Sequence, residues 1–247
     1  FQQRYRGFNS MNLNELRLFL GELIQNSEFA SKSYFAGGCV RDFILNPAAD
    51  INGDVDICVE LSRGGIALAR FLQNCLQARE LVIHKSFGTA SLHYKNLQLE
   101  FVATRKEQYF SKSRYPQVEF GTLTDDVLRR DFTINALLMS IATGEILDLC
   151  GKGLSDLKNG IIRTVKDANL SFKEDPLRML RALQFTLRFD FTIEENTYKA
   201  MQINAPALKI LSRKAIQREL HKIPKNKKSE AKQLIKNLGW EIISLPF

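Results

Sequence analysis

Two periods of apolar positions run along this 247-residue chain. Leu13, Leu16, Leu18, Leu20, Leu23 and Ile24 give an apolar stripe, and Asn12 stands where an N-cap belongs, which predicts a helix over 13–24. Tyr34-Phe35-Ala36 reads as a short strand running into a turn at Gly37-Gly38, with a helix from Val40 to Leu45 leaving it. Val55, Ile57 and Val59 then alternate with Asp54, Asp56, Cys58 and Glu60, the two-residue period of a strand. Ile66–Ala78 is helical, and strands are predicted at Leu81–His84, Thr89–Tyr94 and Leu97–Ala103. This alternation of helices and strands indicates an α/β or α+β first domain. Beyond about Gly160 the pattern changes. Leu177–Leu187, Glu194–Met201, Lys214–Ile223 and Ser229–Leu238 all carry helical spacing, so the second segment is read as all-helical.

The bulk numbers narrow the picture only a little. Apolar residues make up 45% and charged residues 25% of the chain, ordinary values for a globular protein of one or two domains. The net charge of +8 leans toward a polyanionic partner. Cys39, Cys58, Cys75 and Cys150 form no CxxC pair, and His84, His93 and His221 do not complete a zinc site. They read as reduced thiols in a reducing compartment. No run reaches membrane-spanning length, and Phe1–Arg6 lacks the apolar centre of a signal peptide, so a cytoplasmic protein with no membrane partner is expected. The chain opens on Phe1 with Met11 close by, so Phe1 is not read as a native start. Nothing in the composition fixes the oligomeric state.

Five short stretches carry candidate chemistry, and each also has a plainer explanation. Asp54 and Asp56, two apart on a strand, point to one face and can hold Mg²⁺, which takes hard oxygen ligands and keeps water and substrate phosphates in its other positions. Alone, an Asp-x-Asp pair reads better as an acidic, solvent-facing edge. Gly37-Gly38 between a strand and a helix lets backbone amides approach a phosphate, with Arg41 in the first helical turn in reach of a triphosphate; a tight turn requiring positive φ explains the glycines equally. Glu100, within Leu99–Arg105, is a candidate third carboxylate if its strand neighbours the aspartates, and Arg105, Glu107 and Tyr109 are read as a supporting network. Arg129-Arg130-Asp131, ahead of a helix predicted at Ile134–Leu138, can hold phosphate and ribose, or can be a salt-bridged helix start. Asp175 and Arg178, three apart, present acceptors and donors that match a nucleobase edge, or form an ordinary intrahelical ion pair. The basic turn Pro224–Lys228 reads as solvated surface.

Taken jointly and in this order, Gly37–Asp42, Asp54–Asp56, Glu100–Tyr109, Arg129–Ala136 and Glu174–Ala182 resemble the class II tRNA nucleotidyltransferases and bacterial poly(A) polymerases of the polymerase-β-like nucleotidyltransferase superfamily. The resemblance runs from about Tyr34 to Leu220, and Leu147–Thr164 is similar to that family's connector into its neck. It implies a polymerase-β-like head with a mixed sheet over residues 1–160, a helical nucleotide-selecting neck over 161–225, and the start of an incomplete helical body over 226–247, since family members are considerably longer. It implies Mg²⁺ on Asp54 and Asp56, with Glu100 matching less closely as a third ligand. It also implies nucleotide contacts at Gly37, Gly38, Arg41, Arg130, Asp131, Asn135, Asp175, Arg178 and Arg181. The expected activity is template-independent addition of C and/or A, from CTP and ATP, to the 3′ end of tRNA or another RNA, releasing pyrophosphate. Poly(A) polymerase activity and a non-catalytic RNA-binding role are the competing expectations. Leu211–Leu220 is similar to a later neck helix but departs from the family's acidic-arginine pattern, and no site is assigned there.

Overall fold

The computed structural model describes residues 11–51, 53–84, 88–108 and 116–240. They form two compact units. The first comprises residues 1–107, 118–127 and 135–149, and the second residues 108–117, 128–134 and 150–247. Compactness thus divides the chain near residue 150 rather than 160, and the 128–134 segment packs with the later residues. Phe1–Arg6 and Tyr109 lie outside the described residues.

In the first unit, α1 (Leu13–Ile24) begins with a capping box: the Asn12 side chain accepts from Glu15 N at 3.0 Å and the Glu15 carboxylate accepts from Asn12 N at 2.9 Å. There follow β1 (Ser33–Ala36), α2 (Gly38–Leu45), β2 (Asp54–Val59), α3 (Gly64–Leu76), β3 (Leu81–His84), β4 (Thr89–Tyr94) and β5 (Leu97–Ala103). A two-stranded ribbon, β6 (Arg105–Gln108) with β7 (Gln117–Phe120), precedes α4 (Leu123–Leu128), β8 (Leu138–Ser140) and β9 (Ile146–Leu147). Seven strands make one sheet in the order β3-β4-β5-β2-β1-β8-β9. β2 and β5 run parallel and every other neighbouring pair with a described register is antiparallel, so the sheet is mixed, as expected.

The core of this unit follows from the alternation. Val55, Ile57, Leu99 and Phe101 are buried on β2 and β5, while Asp54 and Asp56 stay exposed. The helix predicted over Ile134–Leu138 is not present. A single 3-10 turn at Thr133–Asn135 gives way to β8, which pairs antiparallel with β1 through Ala36–Leu138 and Phe35–Met139. The run Leu137-Leu138-Met139 is apolar on both faces because both are buried, and such a run has no period that separates strand from helix.

In the second unit come α5 (Gly153–Asn159), β10 (Ile161–Ile162), α6 (Ala168–Glu174), α7 (Leu177–Phe189), β11 (Thr192–Ile193), α8 (Glu195–Ile203), α9 (Arg213–Leu220) and α10 (Lys228–Asn237). The unit is helical apart from the parallel β10–β11 pair. α7 is its buried spine, with Met179, Leu180, Ala182, Leu183 and Leu187 all in the core and Phe185 edge-on to Phe132. The 128–134 segment is pinned here by a Phe132–Thr164 bridge and by Thr133, whose hydroxyl donates to the buried Asp156 carboxylate at 2.7 Å. α10 is integral to this unit. Trp240 is fully buried and its indole N–H donates to Met201 O at 3.2 Å. The Pro224–Lys228 turn is largely surface, with Lys227 bridging Asp190 and Glu230.

α3 lies so close to the sheet that a Cβ on Gly65 would stand 2.7 Å from the Val102 carbonyl carbon, with further Val102 backbone atoms at 2.8 Å. Backbone cannot step aside as a side-chain tip can. Gly65→Ala is therefore expected to destabilise the fold by about 1–3 kcal/mol, read as a lowered thermal midpoint; an unchanged midpoint would contradict this packing.

Candidate active site

The strand registers bring three of the sequence stretches to one end of the first unit's sheet. β1 runs antiparallel to β2 with Phe35 opposite Ile57. The end of β1, where Gly37 follows Ala36, therefore lies beside the start of β2, where Asp54 and Asp56 stand. On its other side β1 pairs with β8, and Gly37 N donates to Leu137 O at 3.2 Å. The glycine turn is thus flanked by the aspartates on one strand and by the residues that follow Asn135 on the other.

Gly37 has φ 73° and ψ −130°, a conformation that a residue bearing a Cβ strongly resists, and it serves as N-cap to α2. The turn requires glycine for its geometry, which is the plainer of the two sequence readings. Arg41 lies almost wholly buried, its side chain 5% exposed. Its Nε and Nη2 both bind Asp42 Oδ1, at 2.8 and 2.7 Å, and its Nη1 donates to Asn135 Oδ1 at 2.6 Å. The guanidinium expected to reach out to a triphosphate is instead turned inward, where it fastens the α2 turn to the segment entering β8. Asn135, 6% exposed, is equally engaged.

Asp54 and Asp56 occupy the exposed face of β2, two apart, as the alternation requires. In the parallel pairing with β5, Asp54 lies opposite Gln98 and Asp56 opposite Glu100. The adjacency that sequence alone left open is thus present, and Glu100 shares the aspartates' side of the sheet. Its carboxylate accepts from the Ser91 hydroxyl at 2.7 Å and from the Gln98 amide at 2.6 Å. Among the described residues, no three His, Cys, Asp or Glu side chains are arranged to enclose a metal. Two exposed carboxylates at a strand end nevertheless fit Mg²⁺, which is commonly held by one or two carboxylates with water and phosphate oxygens completing its shell. Cys39, half-buried in the glycine turn, directs its Sγ toward Ala36 O (3.3 Å) and Asp56 O (4.0 Å). Burial, and then the Asp56 charge, push its thiol up to about 12. Arg105 pairs with Glu107 at 2.9 Å.

The second unit gathers the other candidate residues. Arg129, Arg130 and Asp131 belong to it, so the chain divides their stretch after Ile134. Asp131 Oδ2 takes Arg181 Nε at 2.5 Å, and its Oδ1 caps Phe132 N at 2.8 Å. Asp175 does not share a helix face with Arg178: it ends α6, Pro176 opens α7, and its carboxylate accepts from Leu177 N at 3.1 Å. Arg178 is buried, donating to the Ser171 hydroxyl and the Arg129 carbonyl, each at 2.8 Å, and pairing with Glu174 at 3.4 Å. Arg181 is held differently. Its Nε is fixed by Asp131 and its guanidinium lies over the Phe185 ring, 5.2 Å from the centroid, yet its side chain remains 33% exposed. Among the described residues neither Nη atom has a hydrogen-bond partner, which leaves a planar edge of donors at the surface. The Asp131 charge raises the Arg181 pKa still further, with Glu219 and Asp175 adding to it. Glu219, on the segment to which sequence reasoning gave no site, is buried and pairs with Lys222 at 2.8 Å.

Asn135→Ala would leave the buried Arg41 guanidinium without one of its acceptors. It is expected to lower stability by about 1–3 kcal/mol in chemical denaturation, while Asn135→Asp, which keeps the oxygen, loses less. Equal stability of the Ala variant and the parent would show that the clasp carries no strain-bearing role.

Known proteins share this architecture. Residues 33–163, more than half of the chain, match the poly(A) polymerase head domain. The chain is 37% identical over 205 residues to the mitochondrial CCA tRNA nucleotidyltransferase of Saccharomyces cerevisiae, covering 76% of this chain and 37% of that protein. It is 39% identical over 176 residues to the A-adding tRNA nucleotidyltransferase of Aquifex aeolicus, covering 69% of this chain and 20% of that protein. A crystal structure of a tRNA nucleotidyltransferase complexed with a primer tRNA and an incoming ATP analogue superposes with TM-score 0.75 at 33% identity, over 91% of this chain and 62% of that one. The chain thus spans less than half the length of the two named relatives. With the head-domain match extending over most of the sheet and the glycine turn, this chain belongs to the poly(A) polymerase head-domain family, among the relatives that are tRNA nucleotidyltransferases.

Proposed function

We propose that this chain carries the catalytic and nucleotide-selecting parts of a template-independent RNA nucleotidyltransferase that adds C and/or A to the 3′ end of tRNA and releases pyrophosphate. The observation that carries the reading is the convergence, at one end of the sheet, of Asp54 and Asp56 on an exposed face with the Gly37-Gly38 turn. Relatives bearing both CCA-adding and A-adding names support the class of reaction and leave open which nucleotides are added.

In this reading Asp54 and Asp56 hold Mg²⁺, as befits a family that typically uses a divalent metal. When bound, the metal favours the deprotonated 3′ hydroxyl and neutralises charge on the phosphates. The residues of the chain do the positioning. The Gly37 turn presents α2 amides to the triphosphate. Arg41 and Asn135 keep that turn in place, and Arg130 and Asp131 serve sugar and phosphate. Asp175, Arg178 and Arg181 select the base, with the open Nη edge of Arg181 as the donor set best presented. A bond forms between the RNA 3′ oxygen and the α-phosphorus as the α–β phosphoanhydride bond breaks; the hydroxyl proton passes to solvent, and pyrophosphate leaves. Catalysis by placement and charge suits this reaction, which asks the protein for no covalent intermediate.

Among the described residues no helix is long and apolar enough to cross a membrane. The four free thiols suit a reducing compartment such as the cytoplasm, although the yeast relative is named as mitochondrial.

Asp54→Ala and Asp56→Ala are each expected to lower nucleotide incorporation by on the order of a hundredfold or more with the thermal midpoint near that of the parent. Near-parent incorporation by either variant sinks the metal assignment. Offering tRNA ending before the first C, after C, or after CC with each NTP, and sequencing the products, separates the specificities. A complete CCA indicates full addition, one A on the last substrate alone indicates A-addition, and long A tails indicate poly(A) polymerase.

A further inference from the structure

The charge of this chain is concentrated in one stretch of the second unit. Residues 209–236 hold ten Lys and Arg against two Asp and Glu, a net +8 that equals the charge of the whole chain, so the remainder sums to neutral. The stretch runs from just before α9 to the last turn of α10. Arg213, Lys214 and Arg218 on α9 are exposed, as are Lys228, Lys232 and Lys236 on α10. Elsewhere in this unit cations are engaged by acids: Arg163 by Asp156 and Glu194, Lys166 and Arg178 by Glu174, Lys199 by Glu195. The six exposed cations of α9 and α10 have no ion pair and no side-chain hydrogen bond among the described residues. The two acids of the stretch, Glu219 and Glu230, are already taken by Lys222 and Lys227.

The two helices bear these charges against their own stability. Lys228, Lys232 and Lys236 stand four apart in one row on α10, and Lys214 and Arg218 do the same on α9; like charges at that spacing repel. Arg213, Lys214 and Lys228 fall in first turns, at the positive end of the helix dipole, where acids are favoured, and α9 has no acid in its first turn. Packing does not call for them either, since α9 is held by Ile216 and Leu220 and α10 by Ala231 and Ile235. A bound polyanion would turn each of these repulsions into an attraction. A lipid surface would also require apolar side chains among the cations. Among the described residues of 211–240 no large apolar side chain is exposed. The exposed neighbours are instead Gln217, His221, Asn226, Ser229 and Gln233, polar groups of the kind that hydrogen-bond phosphate and sugar.

We propose that the exposed cations of α9 and α10 form a surface that grips the phosphate backbone of RNA without reading its sequence. The proposal rests on the reading of this chain as an RNA nucleotidyltransferase, which supplies the polyanion, and adds to it which residues hold the RNA and by what force. The lysine row of α10 extends over about 12 Å, enough to meet more than one phosphate. Neutralising phosphates releases their condensed counterions, so the grip falls steeply as salt rises. Contacts of this kind fix where the RNA lies and carry no base preference.

The test uses three triple variants of the full chain. One carries Lys228→Gln, Lys232→Gln and Lys236→Gln, and another Arg213→Gln, Lys214→Gln and Arg218→Gln. The control carries Arg70→Gln, Arg79→Gln and Lys173→Gln, which removes the same charge from exposed positions elsewhere. Binding of a tRNA transcript, and of an unrelated RNA hairpin of equal length, is measured across a salt series beside the thermal midpoint. Each of the first two variants is expected to reduce the slope of log K against log salt by about two to three. Each should weaken both RNAs alike, by about tenfold or more at physiological salt, at a midpoint no lower than the parent's. The control should keep the parent slope. Lys232→Gln alone, expected to reduce the slope by about one, carries the test if a triple variant does not fold. In extension assays the KM for RNA should rise while the KM for NTP and kcat at saturating RNA hold. A parent slope in either test variant, an equal loss in the control, or binding of phosphatidylserine vesicles in place of RNA overturns the proposal. A parent that extends RNA while both test variants bind it as tightly defeats this proposal alone. A parent that binds RNA through these residues yet incorporates no nucleotide defeats the nucleotidyltransferase reading and leaves the surface standing.

Discussion

The register of β1 is the constraint on which the site of the first unit depends. β1 is only four residues long, from Ser33 to Ala36, yet it pairs antiparallel on both sides, with β2 and with β8. A slip of one residue against β2 would turn its side chains to the opposite face and carry the glycine turn away from the aspartates. Several features resist that slip. Phe35 is fully buried at the centre of the sheet, Gly37 N is bonded to Leu137 O, and the buried Arg41 ties the next turn of chain to Asn135. The polar clasp and the apolar core therefore enforce the same alignment, the kind of agreement between levels that gives a unique native state.

Much of this was legible in the sequence wherever one residue type has one use. The α1 boundaries could be read because Asn12 and Glu15 form a reciprocal cap and the apolar stripe ends with Ile24. The aspartate face of β2 could be read because strict alternation leaves no other place for two acids. β8 could not, since a strand buried on both faces loses its period and Leu137-Leu138-Met139 fits either element. The pairing of Asp56 with Glu100 is a property of strand order, and local sequence holds no record of which strands become neighbours.

Arginines were the least legible residues. Sequence assigned Arg41, Arg178 and Arg181 the same kind of work, that of gripping a nucleotide. The fold separates them by what surrounds each guanidinium. Arg41 and Arg178 are buried and spend their donors on Asp42 and Asn135, or on Ser171, Glu174 and the Arg129 carbonyl. Among the described residues, Arg181 alone of the three has both terminal nitrogens without a hydrogen-bond partner. A guanidinium has five donors in a rigid fork, and the local supply of acceptors decides how many of them are engaged by protein. That supply is set by tertiary neighbours such as Asn135 and the Arg129 carbonyl, remote in sequence from the arginines they receive.

The cysteine within the glycine turn has a chemical corollary. A thiol placed at a phosphate-cradling bend beside carboxylates invites the suspicion of an oxidant-sensitive centre. Burial and the adjacent Asp56 keep Cys39 in its protonated form far above neutral pH, and peroxide attacks thiolates rather than thiols. The bend therefore holds Cys39 as a small, polarisable space-filler rather than as a nucleophile.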